Sequence, residues 1–213
     1  MNISENDKRW LAVLVASNKI VTPLLRDFVS KGICKLYDFL NDHLQNISTP
    51  CSLETLTYAI RHSDPFFRDM TFKNTNNNEK KSKKDYNYSI NSPVDLAKLY
   101  LPAFLAKFAG FDHSMDLSAA LNLLGYNDYP TQVFVSSNPS LDIKSLANDF
   151  KKEVRNPQAH YDEEKWTEYF TNQRFEKLEA LVHALVLPAD EEGNALDKVH
   201  EWKTNGKVLS VLI

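Results

Sequence analysis

Apolar residues recur along this chain every three or four positions and seldom alternate, which is the pattern of amphipathic helices. Ser4-x-x-Asp7 resembles a capping box with Asp in the place of the usual Glu or Gln, and Trp10, Leu11, Leu14 and Val15 follow it, predicting a first helix over about 6 to 17. Thr22 and Pro23 then offer an N-cap and a first-turn proline. Leu25, Phe28, Gly32, Leu36, Leu40 and Leu44, widened by Leu24, Val29, Ile33 and Tyr37, predict a long helix with a broad apolar face over roughly 23 to 46. A turn around Pro50 precedes another helix from Leu53 to about Ile60, which fades near His62-Ser63-Asp64-Pro65.

In the second half, Ser92-Pro93-Val94-Asp95 is a compact helix start. Val94, Ala97, Leu101, Phe104, Leu105 and Phe108 form one stripe after it, and Pro102 is expected to kink that helix or break it in two. A shorter helix from about Asp116 to Leu124 is closed by Gly125, and Val133-Phe134-Val135 is a brief extended or turn-like insert in a polar stretch. From Ser140 onward, Ile143, Leu146, Ala147, Phe150 and Val154 trace one helical face. Pro157 disfavours helical geometry at Asn156, so that helix is expected to end or bend there, with Asn156 capping a new turn. Asp162 and Glu163 are expected to open the next helix. In it Trp166, Tyr169 and Phe170 lie about half a turn out of phase with Phe175, Leu178, Leu181, Val182 and Leu185. Either the helix breaks near Asn172 or the aromatic stripe packs on something else, such as a partner subunit. Pro188 and Asp190-Glu191-Glu192-Gly193 read as a linker before a short helix through Trp202 and an apolar tail from Val208 to Ile213.

Composition agrees with this pattern. Of 213 residues 43% are apolar, enough for a sizeable core, and five Gly are too few for an all-β chain with many tight turns. The fold class is therefore all-α, an antiparallel helical bundle over 1–187 with a long polar loop at 73–91, followed by the linker, short helix and tail of 188–213. The net charge of −3 and pI near 6.1 exclude a protein that coats nucleic acid through its overall field, so any RNA contact is local. The loop holds Lys80, Lys81, Lys83 and Lys84 beside Tyr86 and Tyr88, a basic patch with stacking rings suited to single-stranded RNA; a solvated insertion is the alternative. Cys34 and Cys51 are too few for a disulfide scaffold or a four-Cys zinc site. The polar, acidic start lacks a signal-peptide pattern, and no apolar run reaches the roughly 18 residues that span a bilayer. A cytoplasmic protein without membrane contact is expected, in which the Asn-x-Ser triplets at Asn2, Asn46 and Asn87 are chance matches.

Chemically useful groups concentrate in Glu153-Val154-Arg155-Asn156-Pro157-Gln158-Ala159-His160. The guanidinium is a permanently charged fork suited to phosphate, and imidazole exchanges protons near neutrality, so the pair suggests work on a phosphodiester. Arg155-Asn156 followed by His160 resembles the R-x4-6-H signature of the HEPN superfamily. Asp95-Leu96-Ala97-Lys98-Leu99-Tyr100-Leu101 resembles the apolar helix that precedes the motif in the animal branch containing the HEPN domain of the DAZ-interacting zinc-finger ubiquitin ligase. Phe175-Glu176-Lys177-Leu178 is similar to the start of the helix that follows it. The likeness covers roughly residues 8 to 186. Pro157 inside the motif departs from it, and Asp162 stands where some HEPN toxins carry Tyr, with Tyr161 adjacent.

The resemblance implies a metal-independent endoribonuclease, working as a homodimer with two motifs in one cleft. His160 would be general acid or base, Arg155 would neutralise phosphate charge, Glu153 would orient one of them, and Asn156 would shape the bend. No cofactor is implied, and no His/Cys/Asp cluster has metal-ligand spacing. A Gly-x-Ser-x-Gly elbow is absent. Alternatives stay open: a non-catalytic dimerisation or interaction adaptor, in which Arg155 pairs with a carboxylate and His160 caps a helix, and an RNA-binding module that grips through the lysines without cutting. His43 and His183 read as surface or core-edge residues.

Overall fold

A computed structural model describes residues 3–43, 90–102, 104–125 and 133–206, and the regular structure among them is entirely helical. The expected helix at 53–60, the lysine-rich loop and the C-terminal tail lie outside these residues. The chain divides into two compact units, one formed by 1–25 with 136–213 and the other by 26–135.

Helix α1, Glu5–Ala16, begins with the capping box read from the sequence: Ser4 Oγ accepts from the Asp7 N–H at 3.1 Å, and Asp7 Oδ2 accepts from the Ser4 N–H at 3.0 Å. The expected interruption at Thr22 is absent. A π-helical turn, Ser17–Val21, joins α1 directly to α2, Thr22–His43, and Thr22 is helical at φ −60°, ψ −44°. The reason lies in Pro23, whose missing N–H and bulky ring cannot fit a regular turn against the Lys19 carbonyl. The chain widens by one residue instead, so the Thr22 N–H bonds five residues back to the Ser17 carbonyl and its hydroxyl adds a second bond there at 2.8 Å.

The first unit is completed by α5 (Ile143–Phe150), a second π-helical turn (Lys151–Arg155), α6 (Asn156–Ala159), a 3-10 turn (Glu163–Lys165), α7 (Glu168–Ala184) and α8 (Ala189–Asn205). Helix α7 packs on α8, α5 and α1. The phase conflict between the two aromatic-aliphatic stripes is relieved because Trp166 lies outside α7 and Tyr169, on α7, is left 74% exposed. Thr167 caps α7 with φ −65°, ψ 164°, so Trp166 belongs to the preceding turn and is buried independently of Phe175, while α7 runs unbroken through Asn172. The segment expected as an acidic linker is the first turn of α8, where Asp190, Glu191 and Glu192 suit the helix dipole. Helix α8 is 17 residues long and packs into the unit. Its pairs to α7 run in reverse order, Glu192 to His183 at 2.7 Å and His200 and Lys203 to Glu179 at 3.3 Å, so the two helices are antiparallel.

In the second unit α2 buries Phe28, Val29, Ile33, Leu36 and Leu40. Helix α3, Pro93–Leu99, starts on Ser92 as expected, but Pro102 ends the stripe rather than kinking it: the helix stops at Leu99 and Phe104 is 70% exposed. Helix α4, Leu117–Leu124, is capped by Asp116. The Val133-Phe134-Val135 insert has a definite use, because the Phe134 ring fills the notch at Gly32 and lies 5.9 Å from the Phe28 ring. A Cβ on Gly32 would stand 2.4 Å from Phe134 Cε1 and 3.1 Å from the Val133 carbonyl oxygen.

Gly32→Ala is expected to destabilise the protein by about 1–3 kcal/mol in urea denaturation, because the overlap with a buried ring outweighs the roughly 1 kcal/mol gained in helix propensity. An increase in stability would show that Phe134 does not occupy the notch.

Candidate active site

The motif is delivered by α5. Asp142 caps it by accepting from the Lys144 N–H, and Ile143, Ala147, Phe150 and Val154 are buried along one face. Pro157 then acts as Pro23 does. The Asn156 N–H bonds five residues back to the Lys151 carbonyl, the turn Lys151–Arg155 widens, and Asn156 is helical at φ −67°, ψ −46°. Asn156 therefore does not cap a new turn, and the helix neither ends nor restarts at Asn156. It ends at Ala159, and His160 leaves it with φ −116°, ψ 68°, its N–H bonded to the Asn156 carbonyl at 3.0 Å.

Arg155 is half-buried, and its Nη1 donates to Asn156 Oδ1 at 3.3 Å. His160 is exposed, and no hydrogen bond joins it to Arg155 among the described residues. Glu153, two positions before Arg155, turns to the other side and meets α7, at 3.5 Å from Lys177 and 3.8 Å from Arg174. The structure thus brings Arg155 and Asn156 together, places His160 one turn on, and sets Glu153 apart. Lys80, Lys81, Lys83 and Lys84 lie outside the described residues. Nor is there a group of three or more His, Cys, Asp or Glu able to hold a metal ion among the described residues, and no helix there is long and apolar enough to cross a membrane.

What flanks His160 was not legible in sequence. The stretch from Gln158 to Glu163 is stitched to α1 and the turn after it by side-chain bonds. Gln158 is buried, with Nε2 donating to Ser17 Oγ at 2.9 Å and its carbonyl accepting from Trp10 Nε1 at 3.2 Å. Asn6 Nδ2 donates to the Glu163 carbonyl at 3.0 Å, and the Tyr161 hydroxyl donates to Asp7 Oδ1 in a short bond. The Tyr161 ring leans on Trp10 at 5.0 Å and 52°. These contacts join residues 141 to 157 apart, so no local periodicity reports them.

Arg174 was also missed. It is 7% exposed, its guanidinium lies 3.9 Å over the Phe170 ring, and Phe170 meets buried Trp166 edge-on at 5.3 Å. Burial lowers its pKa while Glu153 opposes the shift. Phe170 and Arg174 at i and i+4 were the available sequence signal. A recess between α1, α7 and α8, lined by Arg9, Thr171, Asn172 and Lys203 among others, has a volume of about 10 Å³, the room of roughly one water. Compared with protein-family models, characterised proteins and solved structures, the chain matches none.

The Asp7–Tyr161 pair has a pH signature. The Tyr161 hydroxyl, followed by the Ser4 N–H, holds the Asp7 carboxyl below its ordinary 3.8, so its contribution is whole above that value and lost as pH falls through the lower folded one. Burial, followed by the Asp7 hydrogen bond, holds the Tyr161 phenol above its ordinary 10.0, so its contribution is whole below that value and lost as pH rises past it. Denaturation midpoints are expected to decline on both sides of this window and less steeply in Tyr161→Phe. Identical limbs in both proteins would show that the pair does not form.

Proposed function

We propose that this chain is a HEPN-type endoribonuclease that cleaves RNA without a metal ion, with His160 and Arg155 as its catalytic residues. The observation that carries this reading is the state of Arg155. It is half-buried, yet its hydrogen-bonding partner is the neutral Asn156 amide and it forms no ion pair among the described residues, while Glu153, the acid two positions before it, is engaged by Arg174 and Lys177. A structural arginine in that position is ordinarily paired with a carboxylate. A half-buried guanidinium with no ion pair among the described residues, five positions before a solvent-exposed imidazole, is suited to a phosphodiester.

In the reaction His160 takes the proton from the ribose 2′-hydroxyl, the 2′-oxygen bonds to phosphorus, and the bond to the 5′-oxygen breaks. Arg155 stabilises the charge gathering on the non-bridging oxygens, with Asn156 aiming its guanidinium. Glu153 anchors the far side of the turn. The leaving 5′-oxygen takes its proton from water or from the His160 of a second chain, since the family resemblance implies a homodimer with two motifs in one cleft. The lysines at 80, 81, 83 and 84 would bind single-stranded RNA.

Single-stranded RNA incubated with the protein in EDTA is expected to yield fragments ending in 2′,3′-cyclic phosphate and 5′-hydroxyl. His160→Ala should slow cleavage by about 10²–10⁴-fold, and Arg155→Ala by about 10²–10³-fold. Intact RNA, or cleavage undiminished in His160→Ala, overturns the nuclease. Intact RNA with a stable dimer would indicate an adaptor, and salt-sensitive binding lost on replacing the four lysines would indicate an RNA-binding module.

A further inference from the structure

His160 carries its imidazole into solvent from a residue that belongs to no helix, so its position depends on what holds the backbone on either side. Upstream, Gln158 is fixed by two bonds, to Ser17 and Trp10. Immediately downstream stands Tyr161, 40% exposed and therefore not a core-filling residue. Its hydroxyl reaches across to Asp7 of α1, and its ring rests against Trp10. The Asp7 carboxylate divides its work. Oδ2 closes the capping box on the Ser4 N–H, which fixes the group in place, and Oδ1 receives Tyr161. A carboxylate already oriented by its own helix is a rigid acceptor.

We infer that Asp7 and Tyr161 form a latch that sets where the His160 imidazole stands, making both of them positioning residues for that side chain. The consequence for cleavage rests on the catalytic role proposed for His160, whereas the latch itself does not. Tyr161→Phe is the clean variant, since it keeps the ring on Trp10 and leaves the capping box intact. Asp7→Glu keeps an acid at the capping-box position but changes its reach, and Asp7→Asn keeps the reach while removing the charge.

The test follows the His160 Hε1 resonance by NMR together with the kinetics of RNA cleavage in EDTA. Tyr161→Phe and Asp7→Asn are expected to shift and narrow the His160 signal as the loop gains freedom, and to lower kcat about 10- to 100-fold with KM unchanged. The other histidine signals should change little, and melting should fall no further than the loss of the Asp7–Tyr161 bond accounts for. An unaltered His160 signal in Tyr161→Phe overturns the latch, whatever the kinetics. If the wild-type protein leaves RNA intact, the nuclease reading falls, and the His160 signal still decides the latch. A shifted signal with kcat unchanged overturns the positioning role.

Discussion

A helix that contains proline must lose a backbone hydrogen bond and make room for a ring, and this chain meets that constraint twice in the same way. At Pro23 and at Pro157 the helix does not stop; it takes in one extra residue as a π-helical turn, and the residue before each proline bonds five positions back. The extra residue rotates everything downstream relative to everything upstream. Val154 stays in the core, and Gln158 rather than a continuation of the Ile143–Phe150 stripe turns inward. The two turns meet through Gln158 and Ser17, whose hydroxyl donates to the Val13 carbonyl and accepts from the Gln158 amide, so a buried polar pair is left with its main demands met.

That junction makes α1 the reference for the motif. Trp10 reaches the Gln158 carbonyl, Asn6 the Glu163 carbonyl, and Asp7 the Tyr161 hydroxyl, so one helix face meets the loop carrying His160 at three separate levels. Such largely exposed hydrogen bonds matter more for geometry than for stability, because they act on a six-residue stretch with little regular structure of its own. Arg155, by contrast, is placed by the π-helical turn and Asn156. Arg155 and His160 are thus held by different means, and no hydrogen bond joins them among the described residues.

Much of the helical plan was legible. The caps at Ser4, Ser92 and Asp116, the stripes of α2 and α5, and the closing Gly125 follow from local chemistry and 3.6-residue periodicity. The misreadings share a cause, which is the treatment of punctuation residues as if each had one meaning. Thr22-Pro23 and Asn156-Pro157 look like helix starts, because a π-helical turn leaves no mark in composition. Pro102 looks like either a kink or a stop, and only the lack of a widened turn before it decides for a stop. Thr167 is hidden as a cap because Trp166 shares helical spacing with Tyr169 and Phe170 beyond it. In the site, Arg155, Asn156 and His160 were picked out by residue type, whereas Gln158, Asp7 and Tyr161 act through contacts between distant parts of the chain.

The charges around the proposed site limit how RNA can approach it. Asp162, Glu163 and Glu164 follow His160 after Tyr161, and in a chain of net charge −3 such a run would repel phosphate. Part of that charge is already committed, since Asp162 is paired with Lys165 at 2.8 Å and Asp7 is occupied by Ser4 and Tyr161. Beyond about 10 Å at 0.1 M salt the remainder is screened, so what matters is the first shell of groups a phosphate would meet. There Arg155, five positions before His160, is half-buried and forms no ion pair among the described residues.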